Sequence, residues 1–123
     1  MKEELDAMLC QRYPKIFVDC RRTQCRDGWF DLIDTLCERL QFWTDRNNAP
    51  QVIVSQVKEK YGELSFYAHR GNETQDGMIE LAEAMSARLC EQCGKLGHLL
   101  MSGEIYLTRC HEHAPTGAIA APK

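Results

Sequence analysis

Two short chelating pairs, Cys90-x2-Cys93 and Cys110-x2-His113, stand on either side of sixteen intervening residues. Three thiolates and one imidazole at x2 spacing make up the four-ligand tetrahedral set of a structural zinc site. The separation has a geometric reading. The midpoint between Cys93 and Cys110 falls beside Ser102-Gly103, the clearest turn signal in the segment. A hairpin folded there, with HLLM running out and EIYLTR returning, carries the second pair back to the first. Gly94, directly after the first pair, suits a knuckle whose amides turn toward the sulfurs. The expectation is a zinc-ribbon-like module over residues 88–113 holding one structural Zn2+ through Cys90, Cys93, Cys110 and His113. His113 is preferred to His111 because the x2 spacing closes without strain. A closed set of four protein ligands leaves no position for substrate.

Seven cysteines in 123 residues would suggest a disulfide framework in a small secreted chain, but here the count is odd. The first residues, MKEELDAML, are acidic and amphipathic, unlike the basic-then-apolar start of a secretory signal. The expected setting is intracellular, in the cytoplasm, where thiols stay reduced. Cys10, Cys20, Cys25 and Cys37 lack chelating spacing apart from Cys20-x4-Cys25, so a second site, with His69 in reserve, is not expected.

The rest of the chain reads as one α+β domain over residues 1–113. A short helix fits residues 3–12, ending at Tyr13-Pro14. Residues 16–26 have no sustained period and read as a loop. A second helix fits 27–45, with Trp29, Ile33, Leu36, Leu40 and Trp43 three or four residues apart, Asp27 as its cap and Asn47-Asn48-Ala49-Pro50 as its stop. Both tryptophans are expected as core anchors. Residues 51–69 form a β-hairpin about KEKYG, with Leu64, Phe66 and Ala68 facing inward. A third helix fits 75–89 through Ile79, Ala82, Met85 and Leu89, and residues 114–123 read as a disordered tail. The two longer helices are expected to pack on the hairpin, which is closed by the zinc-ribbon-like module.

For function, the HEH tripeptide at 111–113 lacks both the order of a zinc deaminase and the register of an H-E-x-x-H protease. No P-loop, nucleophile elbow or dinucleotide fingerprint is present. Cys25 beside Arg26 is the one candidate nucleophile, and no histidine stands near it to act as base. Catalytic residues are therefore expected to be none. The basic residues Arg12, Lys15, Arg21, Arg22 and Arg26 interrupt a chain of formal net charge -3 and are the candidate contacts for a partner or for nucleic acid. A protein partner is favoured over nucleic acid, because the net charge is negative and aromatic residues are only 8% of the chain. No stretch is long and apolar enough to span a membrane.

The series RYPKIF, CRDGWFDLIDTLC, PQVIVSQVKEKYGELSFY, CEQCGK and TRCHEH resembles a family of small proteins of tailed phages and bacterial prophages, over about residues 11 to 113. Its G-W-[FY]-D-L, V-K-E-K-[FY]-G and C-terminal C-x2-C…C-x2-[CH] motifs correspond here to Gly28–Leu32, Val57–Gly62 and the four candidate ligands. Glu63-Leu64-Ser65 departs from the family pattern by losing a basic position on the hairpin. The resemblance implies a phage or prophage accessory protein that binds and inhibits a host protein or a host defence complex, with an anti-CRISPR-like role among the options. The alternatives are a small nucleic-acid-binding regulator and, less favoured, a thiol-dependent or nuclease-like enzyme.

Overall fold

The computed structural model describes residues 1–122 and shows an α+β protein with three α-helices and two small antiparallel sheets. α1 (Glu3–Arg12) is followed by a loop, a single 3-10 turn (Asp27–Trp29) and α2 (Phe30–Arg46). The hairpin β1 (Ile53–Lys60) and β2 (Glu63–His69) precedes α3 (Glu73–Ser86). The hairpin β3 (His98–Ser102) and β4 (Ile105–Arg109) is extended by β5 (Ile119–Ala120) in the order β4-β3-β5. No helix is long and apolar enough to cross a membrane.

The core lies between α2, α3 and one face of the first hairpin, with α1 and the following loop closing the side. Trp29, Ile33, Leu36, Cys37 and Leu40 are buried along α2 and its leading turn, against Val52, Val54, Val57, Leu64 and Phe66. Strict alternation would put Val57 on the opposite face from Val54. A bulge between Val54 and Gln56 restores it to the core side. Trp29 is the fully buried anchor, whereas Trp43 is only half-buried.

Three local expectations are corrected. Asp27 does not cap the helix that follows it; its carboxylate instead accepts the Lys2 amide at the start of α1 and pairs with the Lys2 ammonium at 3.7 Å. The third helix begins at a capping box between Asn72 and Gln75 and ends at Ser86, so Leu89 lies beyond it and Met85 is exposed. Its inner stripe is Gln75, Met78, Ile79, Ala82 and Ser86. Gln75 is completely buried and donates to the carbonyls of Leu40 and Pro50 and to Thr44 Oγ1, fastening α3 to the end of α2. The tail expected to be disordered over 114–123 contributes β5, where Ile119 and Ala120 pair with Met101 and Leu100, and Ala121 N–H donates to Leu99. Lys123 lies outside the described residues.

The loop from 16 to 26 has no period of its own because its partners are distant in sequence. Ile16 accepts from Val54 N–H, while Gln24 both donates to Val57 and accepts from Glu59, along the outer edge of β1. The buried Asp6 carboxylate of α1 accepts from Thr23 N–H and Oγ1, holding the loop from the other side.

Candidate metal centre

The knuckle begins where α3 runs out. The Cys90 N–H donates to Lys95 and the Gly94 N–H to Cys90, with Gly94 at φ +80, a left-handed value that glycine adopts without steric cost. Ser102 and Ile105 close the second hairpin over Gly103-Glu104, and the return strand delivers Cys110 and then His113, whose amide donates to Cys110. Ligand atoms of Cys90, Cys93, Cys110 and His113 all lie within 4.8 Å of one another. Cys93 Sγ is 3.6 Å from Cys110 Sγ, and His113 Nδ1 is 3.2 Å from Cys110 Sγ and 3.6 Å from Cys90 Sγ. A tetrahedral ion with metal–sulfur bonds of about 2.3 Å separates its ligand atoms by about 3.5 to 3.8 Å, so the group could bind one metal ion with little rearrangement. His111 and His98 are exposed and stand apart from the cluster.

The electrostatics of the cluster favour ionised sulfur at its centre. Burial pushes the Cys90 thiol up, but the amides of Cys110, Cys93 and Gln92, with the His113 ring, outweigh it and bring the pKa down to about 6. At Cys93 the amide of Lys95 pulls the pKa down, but desolvation and the neighbouring sulfurs of Cys110 and Cys90 prevail, and the net direction is upward. Several thiols crowded together cannot all ionise cheaply unless a cation joins them.

What holds the knuckle against the rest of the fold was not signalled by any metal motif. Gly28 N–H donates to Glu91 at 2.7 Å, and a Cβ on Gly28 would lie 2.5 Å from the carbonyl oxygen of Glu91. The neighbouring Trp29 indole donates to the Leu89 carbonyl at 2.9 Å. Glu91, buried between the first two ligands, accepts from Arg26 N–H with one oxygen and from the buried Arg109 guanidinium with the other. The Gly-Trp dipeptide at the head of α2 is therefore the seat of the knuckle. Its signal in the sequence was a glycine immediately before the largest apolar side chain in the core.

The other candidate residues do not converge. Arg12 pairs with Asp34 at 2.9 Å and lies over the Phe30 ring, Arg22 reaches Glu3 at 3.9 Å, and Lys15 is exposed. Arg21 and Arg22 line one hollow with Glu3 and Asp6; Arg26 lines a separate one. Cys25 is buried, and desolvation pushes its thiol up to about 12, which opposes rather than assists a nucleophilic role. Cys37 is buried in the core with its pKa raised by the same cause.

Fold and site together define an α+β protein with a Cys3His cluster able to hold one metal ion. Comparison with protein-family models, curated proteins and solved structures finds no match to this chain.

Proposed function

We propose that this protein is a zinc-stabilised, non-enzymatic module that binds another protein. The observation that carries the reading is the donor set: three sulfurs and one ring nitrogen, mutually within 4.8 Å, complete a tetrahedral shell. Thiolate-rich tetrahedral sites select zinc over the harder divalent ions. With every position taken by protein, the ion serves folding, contributing on the order of 10 kcal/mol to its module. On this reading residues 88–113 are a zinc-ribbon-like unit, and the surface around it does the biological work. Exposed Tyr61 and Ile105 near Tyr106, at the ends of the two hairpins, support a protein partner. Nucleic acid is the second reading. Carboxylates occupy Arg12 and Arg22, and Arg26 shares its hollow with Glu59, Glu91 and Glu104, which weakens any continuous phosphate track. The resemblance to phage and prophage proteins supplies the setting: an accessory protein acting in the host cytoplasm on a host protein or defence complex.

Native mass spectrometry of the wild type and of Cys110→Ser, each with and without a chelator, tests the metal. One zinc that is lost in the variant supports the proposal. No metal, or a metal retained by the variant, overturns it. Nuclease-treated host lysate then separates the partners: a specific protein retained on the zinc-loaded chain supports a protein partner, and salt-sensitive retention of nucleic acid in its place overturns it.

A further inference from the structure

Sheet edges in this fold are mostly closed. Along β1, Ile16 and Gln24 take up the amides of Val54 and Glu59 and the carbonyl of Val57. Along β2, Ser86 Oγ and Glu83 Oε2 accept the amides of Leu64 and Phe66. β5 covers β3. The outer edge of β4 is closed at Thr108, whose carbonyl accepts the Glu91 N–H.

One stretch of β4 stays open. The turn over Gly103-Glu104 makes Ser102 and Ile105 an exchanging pair, and alternation along an antiparallel ladder then points both main-chain groups of Tyr106 away from β3. Among the described residues neither group has a hydrogen-bond partner. Natural sheets blunt or cover such edges unless they are used.

This edge opens on a hollow of about 690 Å³, which runs between β4 on one side and residues 24–26 with Glu59 and Tyr61 on the other. Tyr61 and Tyr106 meet edge to face at 6.5 Å at its mouth, and Ile105 is 67% exposed beside them. The Arg109 guanidinium is held by Glu91, whereas the Met1 ammonium donates to the Cys25 carbonyl, a neutral acceptor that leaves its charge in the hollow. Glu59 and Glu104 line the hollow with no salt bridge among the described residues, and Arg26 stands on the facing wall.

We propose that this groove takes an extended peptide segment of a partner protein, which adds to the edge of β4 through the Tyr106 main chain and places a lysine or arginine side chain against Glu59 and Glu104. Main-chain pairing supplies the affinity, and the alternate side chains supply the choice of partner. The inference rests on the protein-binding reading above and names its surface. It also gives the metal a role in recognition, because Glu91 and Arg109, which form the inner end of the groove, are each adjacent in sequence to a candidate ligand.

The test is selection of random linear peptides displayed against the zinc-loaded full chain, followed by amide NMR with the enriched peptides. Basic, extended peptides that shift the Tyr106 amide are the expected result. N-methylation of alternate peptide amides should weaken binding about tenfold, the worth of one or two lost hydrogen bonds. Of the main-chain groups, Tyr106→Pro removes only the outward-pointing donor and should abolish binding with the zinc retained, while Tyr106→Ala, which loses the same ring but keeps the donor, retains most of it. Glu104→Lys should discard the basic peptides. Enrichment of nothing, peptides that map to another surface, or indifference to N-methylation overturns the groove. Should Tyr106→Pro fail to hold zinc, the N-methylated peptides carry the test alone. Retention of a lysate protein by Tyr106→Pro as well as by wild type would overturn the groove and leave the protein-binding reading standing.

Discussion

Gly28 and Cys90, sixty-two residues apart in the chain, are packed backbone to backbone: a Cβ built on Gly28 would come within 2.2 Å of the Cys90 carbonyl oxygen. The turn that opens α2 thus fits directly against the first loop of the Cys3His cluster, and a hydrogen atom is the largest side chain the fit admits.

Gly28→Ala should therefore be strongly destabilising. The clash is with main chain on both sides, so neither partner can move away as a flexible side chain would, and a loss of about 2 to 3 kcal/mol is expected. Urea unfolding of the zinc-loaded variant measures it, and a weaker hold on zinc in chelator competition should accompany it.

The opposite outcome is expected at Gly77. This glycine lies within α3 on an exposed turn, and a Cβ added there would meet nothing within 4 Å. Gly77→Ala restricts the unfolded chain without crowding the folded one and should stabilise by about 0.5 to 1 kcal/mol, seen as a higher urea midpoint with an unchanged slope.

Glu91 and Arg109 form a buried ion pair at 3.2 Å beside the candidate metal site. Removing one partner strands a buried charge, so Glu91→Ala should cost about 3 kcal/mol or more. Glu91→Leu combined with Arg109→Met should recover most of that loss, leaving the orphaned Arg26 amide as the residue of the effect. A double-mutant cycle by urea unfolding separates the two contributions.

Alkaline pH should weaken the fold through its core thiols. Burial raises the Cys25 pKa to about 12, and burial with the nearby Asp34 carboxylate raises that of Cys37. In the unfolded chain both thiols lose their protons near pH 9. The stabilisation tied to the neutral thiols is therefore complete below about pH 9 and declines as pH rises toward the folded-state values, by up to about 1.4 kcal/mol per pH unit for each thiol. Unfolding midpoints at about pH 8 and about pH 10 should differ less in Cys37→Ala than in wild type, because one titrating group is gone.

Much of the architecture could be read from local pattern. The α2 stripe of Ile33, Leu36 and Leu40, the hairpin turn at Tyr61-Gly62 and the inward set Leu64, Phe66 and Ala68 depend on period and on backbone chemistry, and the structure has them where period puts them. The end of α3 could not be read that way. Helical spacing continues to Leu89, but Ser86 is drawn to the β2 edge and the Leu89 carbonyl to the Trp29 indole, and these distant partners stop the helix. The start of the same helix, expected at residue 75, lies at Glu73, after an Asn72-x2-Gln75 capping box whose local signal a reading from apolar spacing passes over. Asp27 had the right chemistry for a cap and was claimed by the amide of Lys2.

The sequence by itself determined the composition of the Cys3His cluster, because chelation needs donor types and short spacings that are local and chemically distinctive. It also determined the hairpin that closes the cluster, since a turn at the midpoint is a matter of chain geometry. Only the tertiary structure decided what the cluster rests on and what it faces. The seat at Gly28 and Trp29, the buried bridge from Glu91 to Arg109 and the open edge at Tyr106 all join residues far apart in the chain. Contacts of that kind follow from the packing of whole elements, which leaves no periodic mark on the sequence around each partner.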